Sequence, residues 1–319
     1  GGSSKNMALI KGKKGIFFST LAIVMVSFFL VSFVFYSGFK DRKVVQNRVE
    51  SLDNFVFSFQ KDMERQIYIS SYRIIFLFEK RIAESGNYLG NVQNSFSEAF
   101  FNGTIEGESN QEITSLMQGV KFSDIEVNSR AKAMKLNANL SLGYSGITLR
   151  QDSPWFLTIV LSSNVFINDL GNQALWNFST NFTTYIPVTD FDDPLYIVET
   201  NGILTNKIVK TPFSNFVSGN DVSNLLNHTK NSYYKESQSA PSFLDRLEGK
   251  TSSNVNGIES FVDLSDFASK GIQTQDKSVV DYIYFSSSSG DKCNVLPSGM
   301  PSWFKLDSAH LSVYEVSCA

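Results

Sequence analysis

The chain has little of the chemistry that metal sites and nucleophilic catalysis usually require. Its 319 residues include two histidines, His228 and His310, and two cysteines, Cys293 and Cys318. Neither pair has the sequence spacing of zinc ligands, and two distant cysteines do not make a zinc site. We therefore expect no metal and no cofactor, and we expect both histidines to be structural.

Catalytic motifs are also missing. No glycine-rich phosphate loop follows a predicted strand, and no Gly-x-Ser-x-Gly elbow occurs. Asp190, Asp192 and Asp193 lie together, but the ligand spacing of a calcium loop with its closing glutamate is absent, so a turn explains them better. These absences favour a protein that is not an enzyme, although they leave a serine–lysine dyad open.

Charge is scarce as well. Charged residues make up 18% of the chain, and the formal net charge is −3. A nucleic-acid-binding domain needs a concentrated basic face, so we expect no nucleic-acid partner.

One long apolar run is present, at residues 15–39, where 25 consecutive residues carry no charge. About 20 apolar residues suffice to cross the hydrocarbon core of a bilayer. We therefore predict a transmembrane helix over residues 16–39, with the lipid bilayer as a partner. Basic residues flank the run on both sides: Lys11, Lys13, Lys14, Lys40, Arg42 and Lys43.

The orientation of this span is predicted from residues beyond it, because the flanking positive charges are nearly balanced. Both cysteines lie in the last 27 residues, where a Cys293–Cys318 disulfide would suit an oxidising compartment. We therefore expect residues 1–15 inside the cell and the long portion outside. Five Asn-X-Ser/Thr sequons follow the span and are candidate glycosylation sites: Asn102, Asn139, Asn177, Asn181 and Asn227.

The apolar helix is expected to continue beyond the membrane. No proline interrupts residues 40–84, and apolar residues recur at spacings of three and four, so we predict one helix over 16–84, with a stalk at 40–86. Two interpretations stay open: the apolar stripe packs on the chain's own domain, or it packs against other copies. The stripe consists of Val45, Val49, Leu52, Val56, Phe59 and Met63.

The rest of the sequence predicts a mixed head, which makes the fold α+β with an antiparallel sheet packed on the stalk helix. Two short helices are predicted at 92–101 and 111–118, and alternating apolar residues predict three strands, at 134–142, 155–167 and 176–188. Together they form a head over 87–190. For residues 191–319 we expect an irregular, β-rich extracellular region, with strands at 197–199, 278–286 and 311–316 and a helix at 222–232.

The start of the apolar run resembles the signal of archaeal type IV pilins and archaellins. The residues that carry this resemblance are Lys13-Lys14-Gly15-Ile16-Phe17-Phe18, a short basic segment that ends in a small residue before the apolar helix. The resemblance implies removal of a leader (1–15) by cleavage between Gly15 and Ile16, and bundling of the helices in a filament. The chain departs from the family at Thr20, where many pilins have glutamate, and in its larger head.

The C-terminal part is similar to uncharacterised single-span surface proteins of small archaea. Four segments carry that similarity: DPLY at 193–196, APSFL at 240–244, GIES at 257–260 and VDYIY at 280–284. The similarity implies a location at the cell surface and does not indicate a ligand.

From these features we expect a membrane-anchored, pilin-like structural subunit that acts in surface assembly or adhesion. It would associate with itself or with other pilin-like subunits through its N-terminal helix. Two alternatives remain: a monomeric single-span receptor or binding ectodomain, and an anchored hydrolase.

Overall fold

The structure is a computed structural model that describes residues 7–287 and 290–319. It begins with a single helix, α1 (Met7–Ser85), of 79 residues, which is about 120 Å long at 1.5 Å per residue. The predicted continuous helix over 16–84 is thus confirmed; proline, which would break it, is absent from this stretch. The first six residues of the expected leader lie outside the described residues.

Three helices follow α1 and precede the sheet: α2 (Val92–Asn102), α3 (Gln111–Met117) and α4 (Phe122–Lys135). The side chain of Asn91 caps α2 by accepting a hydrogen bond from the backbone of Asn94 at 2.8 Å. Gly103 ends this helix with φ at 73°, a conformation that favours glycine. Both short helices predicted at 92–101 and 111–118 are therefore confirmed, whereas α4 was not expected.

The head contains a three-stranded antiparallel sheet in the order β1 (Ala138–Ser153), β2 (Phe156–Asp169) and β3 (Leu175–Pro187). The predicted meander is confirmed, but the first strand begins at Ala138. The prediction of a strand from residue 134 was wrong, because Met134 lies in the last turn of α4 and Asn137 turns the chain with φ at 55°. Met134 and Leu136, at the end of α4, continue the apolar alternation of β1 in the sequence, and this made the strand seem to begin earlier.

One face of this sheet packs on α1. Along β3 the side chains of Phe182 and Ile186 are buried, whereas Asn181 and Tyr185 are exposed. The rings of Phe182 and Phe59 meet edge to face, with 6.0 Å between their centroids. Full burial of one such side chain contributes about 1.5–3 kcal/mol to folding, so this contact helps to fix the helix on the sheet.

The C-terminal part contains short helices and small antiparallel sheets. Strand β4 (Lys235–Glu236) pairs with β5 (Ile258–Glu259), and β6 (Cys293–Leu296) pairs with both β7 (Lys305–Leu306) and β8 (Ser317–Cys318). A disulfide joins Cys293 to Cys318, as predicted. The helices are α5 (Pro194–Glu199), α6 (Ser223–Lys230), α7 (Phe243–Leu247), α8 (Leu264–Ser269), α9 (Asp281–Phe285) and α10 (Ser308–Leu311).

Three strands predicted in this part were wrong. Residues 197–199 end α5, residues 281–285 form α9, and residue 311 ends α10 before a turn at 312–315 that leads into β8. Helix α5 begins because Asp193 accepts a hydrogen bond from the Leu195 backbone and because Pro194 fits the first helical turn. The predicted helix at 222–232 is confirmed by α6.

Two groups of buried apolar side chains hold the head together. The first lies between α1, the sheet and α2–α4, and it also contains Tyr234, Phe243 and Ile258 from the C-terminal part. The second lies wholly within the C-terminal part, around Phe261 and Tyr314. The C-terminal residues therefore pack directly on the structure built by α1 and the sheet.

Candidate functional site

The N-terminal half of α1 forms a continuous exposed apolar surface. Every large apolar side chain between Phe17 and Phe39 is exposed, with Phe28 and Phe33 reaching 70%. The most apolar 18-residue window of the helix has a mean hydropathy of 2.4, and none of it is buried. By length and composition this segment can cross a membrane. Soluble monomers rarely expose so large an apolar surface, so its shape and chemistry fit a bilayer or other apolar helices.

The head holds α1 through Arg48, at the point where the helix leaves the folded domain. Its guanidinium donates to Asp169 Oδ1 from Nε at 3.0 Å and from Nη2 at 2.7 Å. It also donates to the carbonyl oxygens of Leu136 and Asn137. The hydrogen bonds from Arg48 lower the pKa of Asp169, which is almost fully buried. This contact ties one position of the helix to the ends of α4 and β2.

The predicted assembly stripe divides into two parts at this contact. Val45 and Val49 are exposed, by 38% and 37%. The other four members, Leu52, Val56, Phe59 and Met63, are at least nine-tenths buried in the chain's own core, so they are not available to another copy. Of the two interpretations that the sequence left open, packing on the chain's own domain describes these four residues, because the sheet covers one side of the helix from Leu52 onward. An assembly role of Val45 and Val49 stays a prediction.

The asparagines of the five sequons lie at the surface, where a modifying enzyme can reach them. All five sequon asparagines are exposed: Asn102, Asn139, Asn177, Asn181 and Asn227. The three on β1 and β3 project from the face of the sheet that α1 does not cover, because their neighbours along each strand are buried or half-buried. For Gly15 and Ile16 the structure gives a helical backbone only, and the position of a leader cut stays a prediction.

A buried ionic network in the C-terminal part was not foreseen. Arg246 Nη1 donates to Asp193 Oδ2 at 2.5 Å and to Asp281 Oδ2 at 2.8 Å, and none of these three side chains is exposed. The hydroxyl of Tyr234 donates to Asp193 at 2.7 Å. Burial disfavours the charge on Arg246, but the two carboxylates outweigh it and raise the pKa of the guanidinium. The network therefore keeps a buried cation and two carboxyl groups together.

Four segments that are far apart in the sequence, at 193–196, 240–244, 257–260 and 280–284, meet at Arg246. Residues 193–196 and 280–284 each supply one of its carboxylates. Residues 257–260 supply the Ile258 carbonyl that accepts from Nη2, together with a serine hydroxyl that donates to Asp281. Residues 240–244 start the helix that carries Arg246, with Ser242 as its cap. Segments that are distant in the sequence thus form one internal structure.

A second buried network surrounds His310. Its Nδ1 lies 2.6 Å from Asp307 Oδ1 and its Nε2 lies 3.2 Å from Glu259 Oε2. Burial lowers the pKa of His310, but the two carboxylates outweigh this and raise it to about 9. Ser278 donates to Asp307 at 2.7 Å and Tyr314 donates to Glu259 at 2.8 Å. The serine therefore contacts the carboxylate and not the imidazole, which differs from the arrangement of a Ser–His–Asp triad.

His228 and Glu79 are two further titratable groups in the interior. His228 contacts Thr211 Oγ1 at 3.1 Å, and burial lowers the pKa of its imidazole to about 3. Glu79 faces Asp192, and burial together with that carboxylate raises the pKa of Glu79 to about 9. Across residues 7–287 and 290–319, no group of three or more His, Cys, Asp or Glu side chains is placed to hold a metal ion.

Among the clefts of the described head, one of about 350 Å³ lies between α1 and α4. Its polar groups include Asp62 and Lys132, which pair with each other at 2.5 Å, and its apolar wall includes Phe55 and Phe59. A small apolar group would fit this cleft, but its charged residues already satisfy one another. Comparison with protein-family models, with curated protein sequences and with solved structures finds no match for this chain.

Proposed function

We propose that the chain is a membrane-anchored surface subunit with a pilin-like role in assembly or adhesion. One observation carries the proposal: an apolar helix segment with no buried side chain in its most apolar window continues without a break into a folded head. A bilayer would cover that segment before assembly, and like helices would cover it in a filament. The head then faces outward, with its sequon asparagines in solvent.

The helix supplies the contacts and the head supplies the exposed surface. Lateral packing of residues 17–39 would bury apolar area at about 25 cal/mol per Å², less the entropic cost of association. Val45 and Val49 extend the exposed apolar surface toward the head. The large apolar side chains from Phe17 to Val49 are all exposed, which leaves them available for this packing.

The proposal is tested in native membranes by cross-linking and by N-terminal sequencing. Under mild oxidation, the variant Ser27→Cys places a thiol on the exposed helix and should give a dimer through that segment. The variant Val255→Cys, at a position of the C-terminal part that is 72% exposed, measures how much dimer forms by random collision. A mature start at Ile16 would add support for a processed pilin-like subunit.

A result in which Ser27→Cys forms no more dimer than Val255→Cys would remove the assembly role. The monomeric binding ectodomain would then lead, and the cleft between α1 and α4 is the observation that favours it. That second function predicts that filling the cleft, for example by Ser129→Phe, abolishes ligand or cell binding and leaves the anchoring intact.

A further inference from the structure

The end of the head nearest the apolar helix has an exposed surface of its own, here called the base. It consists of the end of α4, the turn between β2 and β3, and the first residue of β3. Met134, Leu170 and Leu175 are 53%, 48% and 59% exposed there, and Lys135 beside Met134 is also exposed. The base therefore combines apolar side chains with a positive charge.

Hydrogen bonds place the base beside Arg48, at that position along α1. Arg48 binds Asp169, the last residue of β2, and the Asn137 carbonyl just before β1. The backbone amide of Leu170 also donates to that carbonyl, at 3.1 Å. The ends of α4 and β2 are thus held against one point of α1.

The base is the part of the head closest to the apolar span. Farther along β3, Phe182 contacts Phe59, which lies beyond Arg48 on the side away from the span. The strand therefore runs away from the span, and the turn before it faces the span. Arg48 lies nine positions after Phe39, which is about 14 Å along the helix. A headgroup layer is roughly 5–8 Å thick, and a helix tilted by about 20° lowers one side of the head toward it.

The charges near the base suit a negatively charged surface. Lys40, Arg42 and Lys43 lie on the helix between the span and the base and are exposed, as Lys135 is. Three acidic residues lie at this end, Asp41 and Glu50 on the helix and Asp169, which is almost fully buried and paired with Arg48, so the basic residues remain in excess. Basic side chains bind anionic headgroups, and exposed leucines enter the boundary between headgroups and acyl chains.

We propose that the base docks on an anionic lipid surface, with Leu170 and Leu175 at the interface and Lys135 on a lipid phosphate. The docking rests on the proposed function, since it requires residues 17–39 to lie in the bilayer. It sets the angle of the head on the membrane and so determines which face of the sheet is presented outward.

The test uses the full-length protein in vesicles that contain phosphatidylglycerol and nitroxide-labelled lipid. The variants Leu170→Cys, Tyr185→Cys and Phe35→Cys each receive an environment-sensitive fluorophore on the new thiol. Tyr185 is the matched control, because it lies at the opposite end of β3 and is 60% exposed. We expect lipid quenching at positions 35 and 170, no quenching at 185, and less quenching at 170 when Lys135→Glu is added or the anionic lipid is omitted.

The outcomes separate the two proposals. Quenching at position 35 without quenching at 170 would overturn the docking and leave the anchoring in place. Absence of quenching at 35 would remove the anchoring itself. Protection of position 170 from aqueous iodide without quenching by lipid would also overturn the docking, because a second copy of the chain would then cover the base.

Discussion

Arg246 is the residue of the C-terminal part whose replacement we expect to lower the stability of the protein most. Its guanidinium contacts both Asp193 and Asp281, and all three side chains are fully buried. Removal of one partner from such a network leaves buried carboxyl groups without a counter-charge. The local sequence does not indicate this role, because Arg246 lies 53 positions from Asp193 and 35 positions from Asp281.

Replacing this arginine should therefore destabilise the head severely. We expect Arg246→Met to lower the free energy of unfolding by about 3–5 kcal/mol, because methionine fills the space but cannot pair with the carboxylates. Urea unfolding followed by circular dichroism measures the change. The control Arg150→Met removes an exposed ion pair with Asp152 and should cost less than about 1 kcal/mol. Equal stability of the two variants would show that the buried network is dispensable.

Glu79 should make stability depend on pH. Its carboxyl is buried near Asp192, and its Oε1 has no partner among the described residues, so the folded protein keeps it protonated. The folded pKa of about 9 exceeds the unfolded value of 4.5. The stabilisation by the neutral group is therefore complete below pH 4.5 and is lost as the pH rises toward 9.

The variant Glu79→Gln keeps the shape of this side chain and removes its titration. We expect it to be more stable than the parent at pH 7 by on the order of 3 kcal/mol, and to lose less stability between pH 5 and pH 9. Thermal unfolding across that range is the measurement, with the exposed Glu84→Gln as control. Parallel pH profiles for parent and Glu79→Gln would contradict the buried neutral carboxyl. His310 titrates in the same direction but is unchanged between the two proteins, so the difference isolates Glu79.

At the scale of elements, α1 lies in two different environments along its length. The large apolar residues from Phe17 to Val49 are exposed, whereas Leu52 and one side of the following turns are buried by the sheet. Phe57 and Phe59 show the division, because Phe57 is 60% exposed and Phe59 only 4%. We expect Phe59→Ala to cost about 3–5 kcal/mol of unfolding free energy and Phe57→Ala less than about 1 kcal/mol. A similar loss in both variants would mean that α1 is covered on both sides in solution.

The long periodic elements and three short helices were predictable from the sequence, whereas most of the short elements after residue 190 were not. The helix, the order of the three strands and the outward position of the β-strand sequons follow from repeats of 3.6 and of two. Segments such as 281–285 contain aromatic and β-branched residues that favour strands in isolation. Residues 281–285 become a short helix because burial of Asp281, Tyr282 and Tyr284 overrides that preference, and the sequence pattern does not display burial. Arg48 and Arg246 were missed for the same reason: their partners are distant in sequence.

At the scale of the whole molecule, the disulfide closes the C-terminal part. It joins β6 to β8 across 25 residues of sequence, and a loop of that size contributes about 3 kcal/mol in the chain-entropy description. The double variant Cys293→Ser/Cys318→Ser should therefore lose about that amount in urea unfolding, and reduction of the parent should reproduce the loss. Unchanged stability after reduction would show that the strands hold without the bond.

The central claim is that residues 17–39 are covered in the native setting. The most direct measurement is labelling of intact cells with a membrane-impermeant maleimide, using Phe28→Cys in the apolar segment and Tyr185→Cys on the head, which are 70% and 60% exposed in the isolated chain. We predict that Tyr185→Cys is labelled at once and that Phe28→Cys is labelled only after detergent disperses the membrane or assembly. Labelling of Phe28→Cys on intact cells without detergent would contradict the account.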